Sequence, residues 1–420
     1  MSAAPVHARL VRFRLPTGDG RPGSIDAVGS GEVVRLRTGF LLEIRDGEGR
    51  SGWGEASPLA SYSGERPVEA ASGLLRLLGD RSAMGALIEG LEAPHGVPWI
   101  GATEDSPAAA LFTVLDELLG GSASARSAVV SALADLAGRR AGIPTHELLL
   151  RSTSMPEAAT SGVTGDPVDT GPASSGYQIN ALVPLTGRSE ALAAAADAQA
   201  RGIRVLKAKL GAGERFDREL ELLHLLRAEL GSDLDFRLDA NGAWTLAEAR
   251  VNLDRLAPLD PEYVEEPVHG TDMAELTESP VPLAADESLR DPEVAERLLD
   301  VPGISVFVFK PSLLGGLDRC LDLGLRAARS GHRCVVTHGF EGPVGHGAAC
   351  ELALGLAPFD RGGEAKRLLA QGLDRVGVLE GWEDVGIPQL RGALLVPAEV
   401  SGHGVDPSPI LERAGGDGVI

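Results

Sequence analysis

Lysine is nearly missing from this chain. Only Lys207, Lys209, Lys310 and Lys366 occur among 39 basic residues, so wherever a generic positive charge is needed the sequence uses arginine. Cysteine is limited to Cys320, Cys334 and Cys350, an odd number without close metal-ligand spacing. That argues against a disulfide framework or a thiolate metal site and fits reduced, mostly buried thiols of a cytoplasmic protein. No uninterrupted apolar run is long enough to span a bilayer. The opening residues, MSAAPVHARLVRFRLP, lack the apolar core of a signal peptide and read as a first strand. Positive charge is outweighed throughout: the net charge of −21 argues against a nucleic acid or an anionic membrane as partner. What is present, 43% hydrophobic and 24% charged residues in 420, is the composition of a soluble globular protein with room for one large domain and a smaller one.

The placement of the lysines is informative. Lys207 and Lys209 fall in the strand-like run IRVLKAKLGAG, and Lys310 ends ISVFVFKP. Arginine keeps its charge at any ordinary pH, whereas a buried lysine can release its proton and act as a base. These three positions therefore call for an amine and are the first candidates for catalysis. Lys366, after Gly362 and Gly363, reads as a surface or helix-end residue.

Two textures divide the chain. Residues 1–151 begin with alternating, strand-like segments and a turn at Asp46–Gly49, then show helical periodicity at about 66–80, 106–120 and 123–141, an α+β unit. Residues 152–176 are rich in Ser, Thr, Gly and Pro and read as a flexible linker or insertion. Residues 177–375 alternate strands and helices. Strands are expected at 177–183, 203–209, 234–239, 262–265, 282–286, 304–310 and 333–337, with a weaker eighth near 354–358. Repeated β–α units of this kind predict an α/β fold with a parallel sheet closed into a TIM-like barrel. Residues 376–420 return to irregular, strand-like texture and are expected to pack back on the first unit as part of a capping domain.

Three consecutive predicted strands end in carboxylates: Asp239 in RLDANGAW, Glu265 in YVEEP and Asp286 in LAADES. The C-terminal strand ends of a barrel share one mouth, where active sites of this fold lie. Three converging carboxylates repel unless a cation stands among them, and hard oxygen donors without His or Cys suit Mg²⁺ or Mn²⁺. Lys207 and Lys209, two apart on one strand, point to the same face. They end the second strand and Lys310 ends the sixth, across the same mouth. The balance of charge there favours an anion in an otherwise acidic protein, so a small anionic carboxylate is the expected substrate. The sequence is compatible with a homo-oligomer.

Lys-x-Lys, Asp-x-Asn, Glu-x-Pro, Asp-Glu-Ser and the sixth-strand lysine, in that order, resemble the enolase superfamily, in particular its muconate-cycloisomerase-like subgroup. That resemblance runs over nearly the whole chain. It implies that Asp239, Glu265 and Asp286 hold Mg²⁺. It also implies that Lys209 is the base, that Lys310 is its opposite number, and that Lys207 supports the substrate carboxylate or lowers the pKa of Lys209. The segment SGWGEASPLASYSGERP, with Tyr62, Ser63 and Glu65, resembles the capping loop of o-succinylbenzoate synthases. That resemblance implies the dehydration of 2-succinyl-6-hydroxy-2,4-cyclohexadiene-1-carboxylate to 2-succinylbenzoate in menaquinone biosynthesis, with Ser63, Asn241, His338, Gly339 and Glu341 at the substrate. Thr337–His338–Gly339 replaces the Ser-rich turn those enzymes carry, and Phe340–Glu341 and Gly345 match.

Other readings can be weighed. Dipeptide epimerases carry an Asp-x-Asp after the eighth strand to hold the substrate amine, whereas LAPFDRGGEAKR offers Asp360 alone. His338 is placed like the base of mandelate-racemase-like members, but the sixth strand here ends in lysine, which leaves it a pocket-lining polar group. Muconate cycloisomerases and N-succinylamino acid racemases share the same five motifs, and sequence separates them poorly. A metal-free Schiff-base aldolase on the same fold leaves the three carboxylates unexplained, and a non-catalytic binding protein leaves lysines and carboxylates together unexplained.

Overall fold

The computed structural model describes residues 7–16, 36–90, 107–153, 176–231, 233–360, 368–374 and 385–413. Strands β1 (His7–Pro16), β2 (Leu36–Arg45) and β3 (Ser51–Ala56) form an antiparallel sheet in that order. Asp46 closes the turn between β2 and β3 by accepting from the backbone N–H of Glu48 (3.0 Å) and Arg50 (2.9 Å). The strand β3 reads SGWGEA because the helix Ala123–Ala141 lies directly on it. A Cβ on Gly52 or Gly54 would collide with the carbonyl oxygens of Ala132 and Ala128, respectively. At these two contacts the helix carries the small residues Ala128 and Ala132. Helices Pro67–Gly79 and Pro107–Leu119 complete this layer close to the expected spans, and Arg81–Glu89 adds a helix not expected from the sequence.

A seven-stranded parallel sheet follows in sequential order: β5 (Asn180–Val183), β6 (Val205–Lys209), β7 (Asp235–Asp239), β8 (Tyr263–Glu265), β9 (Leu283–Ala285), β10 (Ile304–Phe309) and β11 (Arg333–Val336). Helices on the outside and side chains within bury both faces, which is why runs such as ISVFVF are almost continuously apolar. The short β4 (Tyr177–Gln178) leaves the start of this run to pair with β13 (Leu394–Leu395), itself paired with β12 (Leu390–Arg391).

The expected eighth strand near 354–358 is not a strand. Those residues close the helix Pro343–Leu356 and the 3₁₀ turn Ala357–Phe359. The helix is buried on every side, so its apolar run carries no 3.6-residue periodicity to tell it from a buried strand. The gap between β11 and β5 is instead bridged by Gln371 and Gly372. Gln371 N–H donates to Gln178 O (2.7 Å), Asn180 N–H to Gln371 O (2.9 Å) and Gly372 N–H to Val336 O (2.8 Å).

Residues 154–175 of the expected linker, and Lys366, lie outside the described residues. In the tail, Gly402 hydrogen-bonds Ile143 and Thr145, and His403 donates from its backbone to Asp135 (2.6 Å). Ile410 joins Val11, Phe13, Leu41, Trp53, Phe340 and Val344 in a cluster that links the N-terminal sheet, the tail and the loop after β11. None of the three cysteines forms a disulfide, and all are buried. No helix among the described residues is long and apolar enough to cross a membrane.

Candidate active site

The parallel register delivers the charged residues to one mouth. Lys209 pairs with Asp239 across β6 and β7, and Asp239 with Glu265 across β7 and β8. Asp286 follows β9 and Lys310 follows β10 directly. Asp239, Glu265, Asp286 and Lys310 are 5% exposed or less, so each charge there must be matched by another.

The matching is specific. Lys207 Nζ donates to both Glu265 oxygens at 2.7 Å and lies 2.9 Å from Asp239 Oδ2. Lys310 Nζ donates to Asp286 Oδ2, with Glu287 Oε1 3.9 Å away. Lys209 Nζ donates to the neutral amide oxygen of Asn241 at 2.9 Å. Asn241 in turn bonds Asp239 through its N–H (2.9 Å) and Glu287 through its amide nitrogen (3.1 Å). The three amines therefore titrate differently. Burial disfavours the charge of Lys207 and Lys310, but Asp239 and Glu265 around the first, and Asp286 around the second, hold both above the ordinary lysine range. For Lys209, burial and the neighbouring Lys207 and Lys310 charges outweigh Asp239, and its pKa is lowered. Burial also pushes Asp286 well up, and Lys207 beside Asp239 pulls that carboxyl down against its burial.

Glu265 shares the Lys207 ammonium with Asp239, and its negative charge adds to the upward shift of Asp286. Among the described residues no three His, Cys, Asp or Glu side chains stand as a ready coordination shell, and the Lys207 and Lys310 ammonium groups contact oxygens of Glu265, Asp239 and Asp286. The donor chemistry, three clustered buried carboxylates with only oxygen ligands, fits a hard divalent ion. Glu287 Oε2, buried beside them without a hydrogen-bond partner, adds an unsatisfied acceptor.

The mouth encloses about 50 Å³ of free space, lined by Tyr62, Asn180, Lys207, Lys209, Lys310 and His338, among others. Tyr62 comes from the loop after β3. Its ring centroid lies 6.0 Å from Lys209 Nζ and 5.2 Å from Lys310 Nζ, and it meets Phe340 edge-on. His338 accepts from Phe340 N–H at Nδ1 (3.2 Å), which leaves Nε2 to donate to Asp374 O (3.1 Å). Burial lowers its pKa, in accord with this neutral tautomer.

Of the residues expected at the substrate, Asn241 and His338 stand at the mouth. Glu341 is instead tied to Ser312 Oγ and to Gly339 N–H (2.7 Å), so that Gly339 and Glu341 form a brace behind it. Ser63 turns its hydroxyl to Leu59 O (3.0 Å) and lines a separate surface cleft with Glu65 and Arg290. Sequence reasoning passed over Glu287 and Glu266. Glu266, at φ 42°, accepts from the N–H groups of Asp286 and Ser288 (2.9 Å each) and fixes the Asp286 turn. Its signal was the second Glu of YVEEP. Asp360, expected after an eighth strand, is instead bound by Arg333 at 2.9 Å twice, at the start of β11. The acidic residue at the true eighth position is Asp374, whose carboxylate is held by Arg201 (3.0 and 2.7 Å).

Comparison with known proteins agrees with this architecture. The family model described as Enolase C-terminal domain-like matches residues 190–409. A D-Ala-D/L-Ala epimerase from Cytophaga hutchinsonii is 25% identical over 77% of this chain and 77% of its own length. An o-succinylbenzoate synthase from Edwardsiella ictaluri is 26% identical over 84% of this chain and 87% of its own. Two solved structures share the fold. The muconate lactonizing enzyme from Pseudomonas putida has TM-score 0.71, 23% identity and 99% coverage of both chains. The dipeptide epimerase from Enterococcus faecalis V583, complexed with Mg and L-Leu-L-Tyr, has TM-score 0.68, 21% identity and coverage of 97% and 100%.

Proposed function

This chain belongs to the enolase superfamily, and from that premise we propose that it removes the proton alpha to a carboxylate and acts as an o-succinylbenzoate synthase. Its substrate would be 2-succinyl-6-hydroxy-2,4-cyclohexadiene-1-carboxylate. The observation that carries the reading is the contrast between Lys209, whose pKa is lowered, and Lys310, held protonated, around one small cavity. One amine is prepared to take a proton while the other keeps its charge.

In this mechanism Asp239, Glu265 and Asp286 would hold a divalent ion, Mg²⁺ as in the structure of the E. faecalis epimerase, or Mn²⁺. Bound there, the ion would supply positive charge that offsets the negative charge of the substrate carboxylate. Lys209 takes the proton alpha to the ring carboxylate. Now an ammonium on the same face, it returns that proton to the departing hydroxyl, a syn elimination. Lys310 remains protonated and stabilises the developing charge. Lys207 fixes Asp239 and Glu265, and its positive charge lowers the pKa of Lys209. Tyr62 and Phe340, packed edge to face, give this wall of the cavity an aromatic lining.

The alternative within the superfamily is epimerisation of a dipeptide or racemisation of an N-succinylamino acid. A free substrate amine needs a carboxylate partner, and the Asp374 carboxylate is committed to Arg201. That supports an acid without an amine. The test is loss of the cyclohexadiene absorbance with Mg²⁺ and then with EDTA. Fast, EDTA-sensitive conversion is expected. Protein that binds Mg²⁺ yet converts nothing would move the substrate to N-succinylamino acids or lactones.

A further inference from the structure

Arg37, at the second residue of β2, is 2% exposed and reaches across the interface between the N-terminal sheet and the barrel. Its guanidinium donates to three backbone carbonyls: Nε to Phe340 O at 3.0 Å, Nη1 to Pro58 O at 2.5 Å, and Nη2 to Ser57 O. Pro58 and Ser57 begin the loop that carries Tyr62. Phe340 follows His338 in the loop after β11. A second strut runs beside it: Glu55 accepts from Ser57 Oγ and from the N–H groups of Gly342 and of Gly345 (3.0 Å), at the start of the helix Pro343–Leu356. A Cβ on Gly342 would sit 2.7 Å from the Glu55 carboxylate, so this approach requires glycine.

The backbone is strained where the strut lands. Phe340 sits at φ 62°, a left-handed conformation that a bulky side chain rarely adopts. Such strain persists only where the surroundings over-determine it. Here the Arg37 bond to its carbonyl, the His338 bond from its N–H and the edge contact with Tyr62 do so.

We propose that Arg37 is a positioning residue for substrate recognition: it ties the Tyr62 loop to the His338–Phe340 loop and so sets the spacing of the wall facing Lys209 and Lys310. A buried guanidinium with three carbonyl acceptors suits this role because its planar fork fixes directions that an ammonium does not. Burial lowers its pKa to about 10, which leaves it charged at neutral pH.

The experiment uses the full chain with Arg37→Met and Arg37→Lys. Hydrogen–deuterium exchange is read over 57–63 and 338–345, with the helix Ala123–Ala141 as internal reference, and steady-state kinetics follow with Mg²⁺. The kinetic arm rests on the proposed dehydration; the exchange arm does not. Faster exchange is expected in both loops together and not in the reference helix. KM should rise roughly tenfold with kcat changed much less, the pattern of lost ground-state positioning. Arg37→Lys should recover part of both effects. Unchanged loop exchange, or faster exchange in one loop alone, overturns the proposal. Should the Met variant not fold, the Lys variant, which keeps a donor, carries the same two readouts. A wild type that does not turn over the cyclohexadiene refutes the dehydration and leaves the exchange result to decide on Arg37.

Discussion

Lys209 donates to Asn241 at 2.9 Å, while two residues earlier on the same strand Lys207 is clasped by Glu265 and Asp239. One strand thus presents two amines to one mouth and gives them opposite tendencies to ionise. The difference comes from the partners: a neutral amide offers much less to an ammonium than two buried carboxylates do.

Lys209→Arg is therefore expected to abolish turnover, by about 10²–10⁴-fold or more, because arginine does not give up its proton at working pH. Metal affinity should be unchanged by calorimetry. Substantial residual activity would remove Lys209 from the role of base. In the wild type, kcat/KM should climb with pH as Lys209 deprotonates. Because its pKa is lowered, that climb should be complete below the pH at which an ordinary lysine titrates.

Asp286→Asn tests the carboxylate cluster. The amide keeps the size of the side chain and removes a charge, so Mg²⁺ binding measured by titration calorimetry should weaken. The same affinity as wild type would refute the assignment of Asp286 as a ligand.

The turn at Asp46 gives a stability prediction remote from this chemistry. Asp46 accepts from Arg50 Nε (3.0 Å), Arg140 Nε (2.9 Å) and two backbone N–H groups, and these bonds overcome its burial to lower its pKa to about 2. A depressed carboxyl stabilises the fold above its unfolded value and loses that contribution as pH falls through the folded one. Asp46→Asn should cost about 1–3 kcal/mol at pH 7. The gap in denaturation midpoint between variant and wild type should close between roughly pH 4 and pH 2. A gap independent of pH would show that the charge is not what matters.

Gly54→Ala tests why the segment after the turn reads Gly-Trp-Gly-Glu. Its Cβ would run into the Ala128 carbonyl oxygen, which is backbone and has no rotamer to yield. A loss of several kcal/mol, of the size seen for overpacking with backbone shifts, is expected in thermal or denaturant melts. A variant as stable as wild type would mean that the helix Ala123–Ala141 moves aside at little cost.

How much of this was legible beforehand follows from which signals are local. Lys207, Lys209, Asp239, Glu265, Asp286 and Lys310 end consecutive strands, and strand ends are visible in a sequence as apolar runs that stop at a charge. The parallel register then brings them together without further information. The eighth position was misplaced because the helix Pro343–Leu356 is buried all round and shows no face. That error sent the search for an amine-binding carboxylate to Asp360, at the far end of β11, whereas the acidic residue that follows the Gln371–Gly372 bridge is Asp374. Glu341 and Ser63 have side chains that fit a substrate role, but Ser63 spends its hydroxyl on Leu59 O within its own turn, and Glu341 spends its carboxylate on the nearby Gly339 N–H and on Ser312, which the fold brings in from 29 residues away. Arg37 gave no signal at all, since one arginine among so many is unremarked until its three acceptors are assembled from distant parts of the chain.

His338 supplies the last prediction. It follows β11 at a position where an imidazole could serve as a general base, and Lys310 stands in the same cavity. Its hydrogen bonds argue otherwise. Nδ1 accepts from Phe340 N–H and Nε2 donates to Asp374 O, so both ring nitrogens are engaged by backbone and neither is presented to a reacting carbon. Burial lowers its pKa and Lys310 adds to that, against the opposing pull of Glu341 and Asp374. Both the bonding and the lowered pKa favour the neutral ring. His338→Asn keeps a polar, uncharged side chain at the same place. It should lower kcat/KM by about tenfold or less, the loss of a positioning contact, and leave the pH dependence set by Lys209 in place. If the variant instead lost activity by about 10³-fold and its pH profile lost a limb, His338 would be a proton-transfer group. The two lysines would then have to share the chemistry with it.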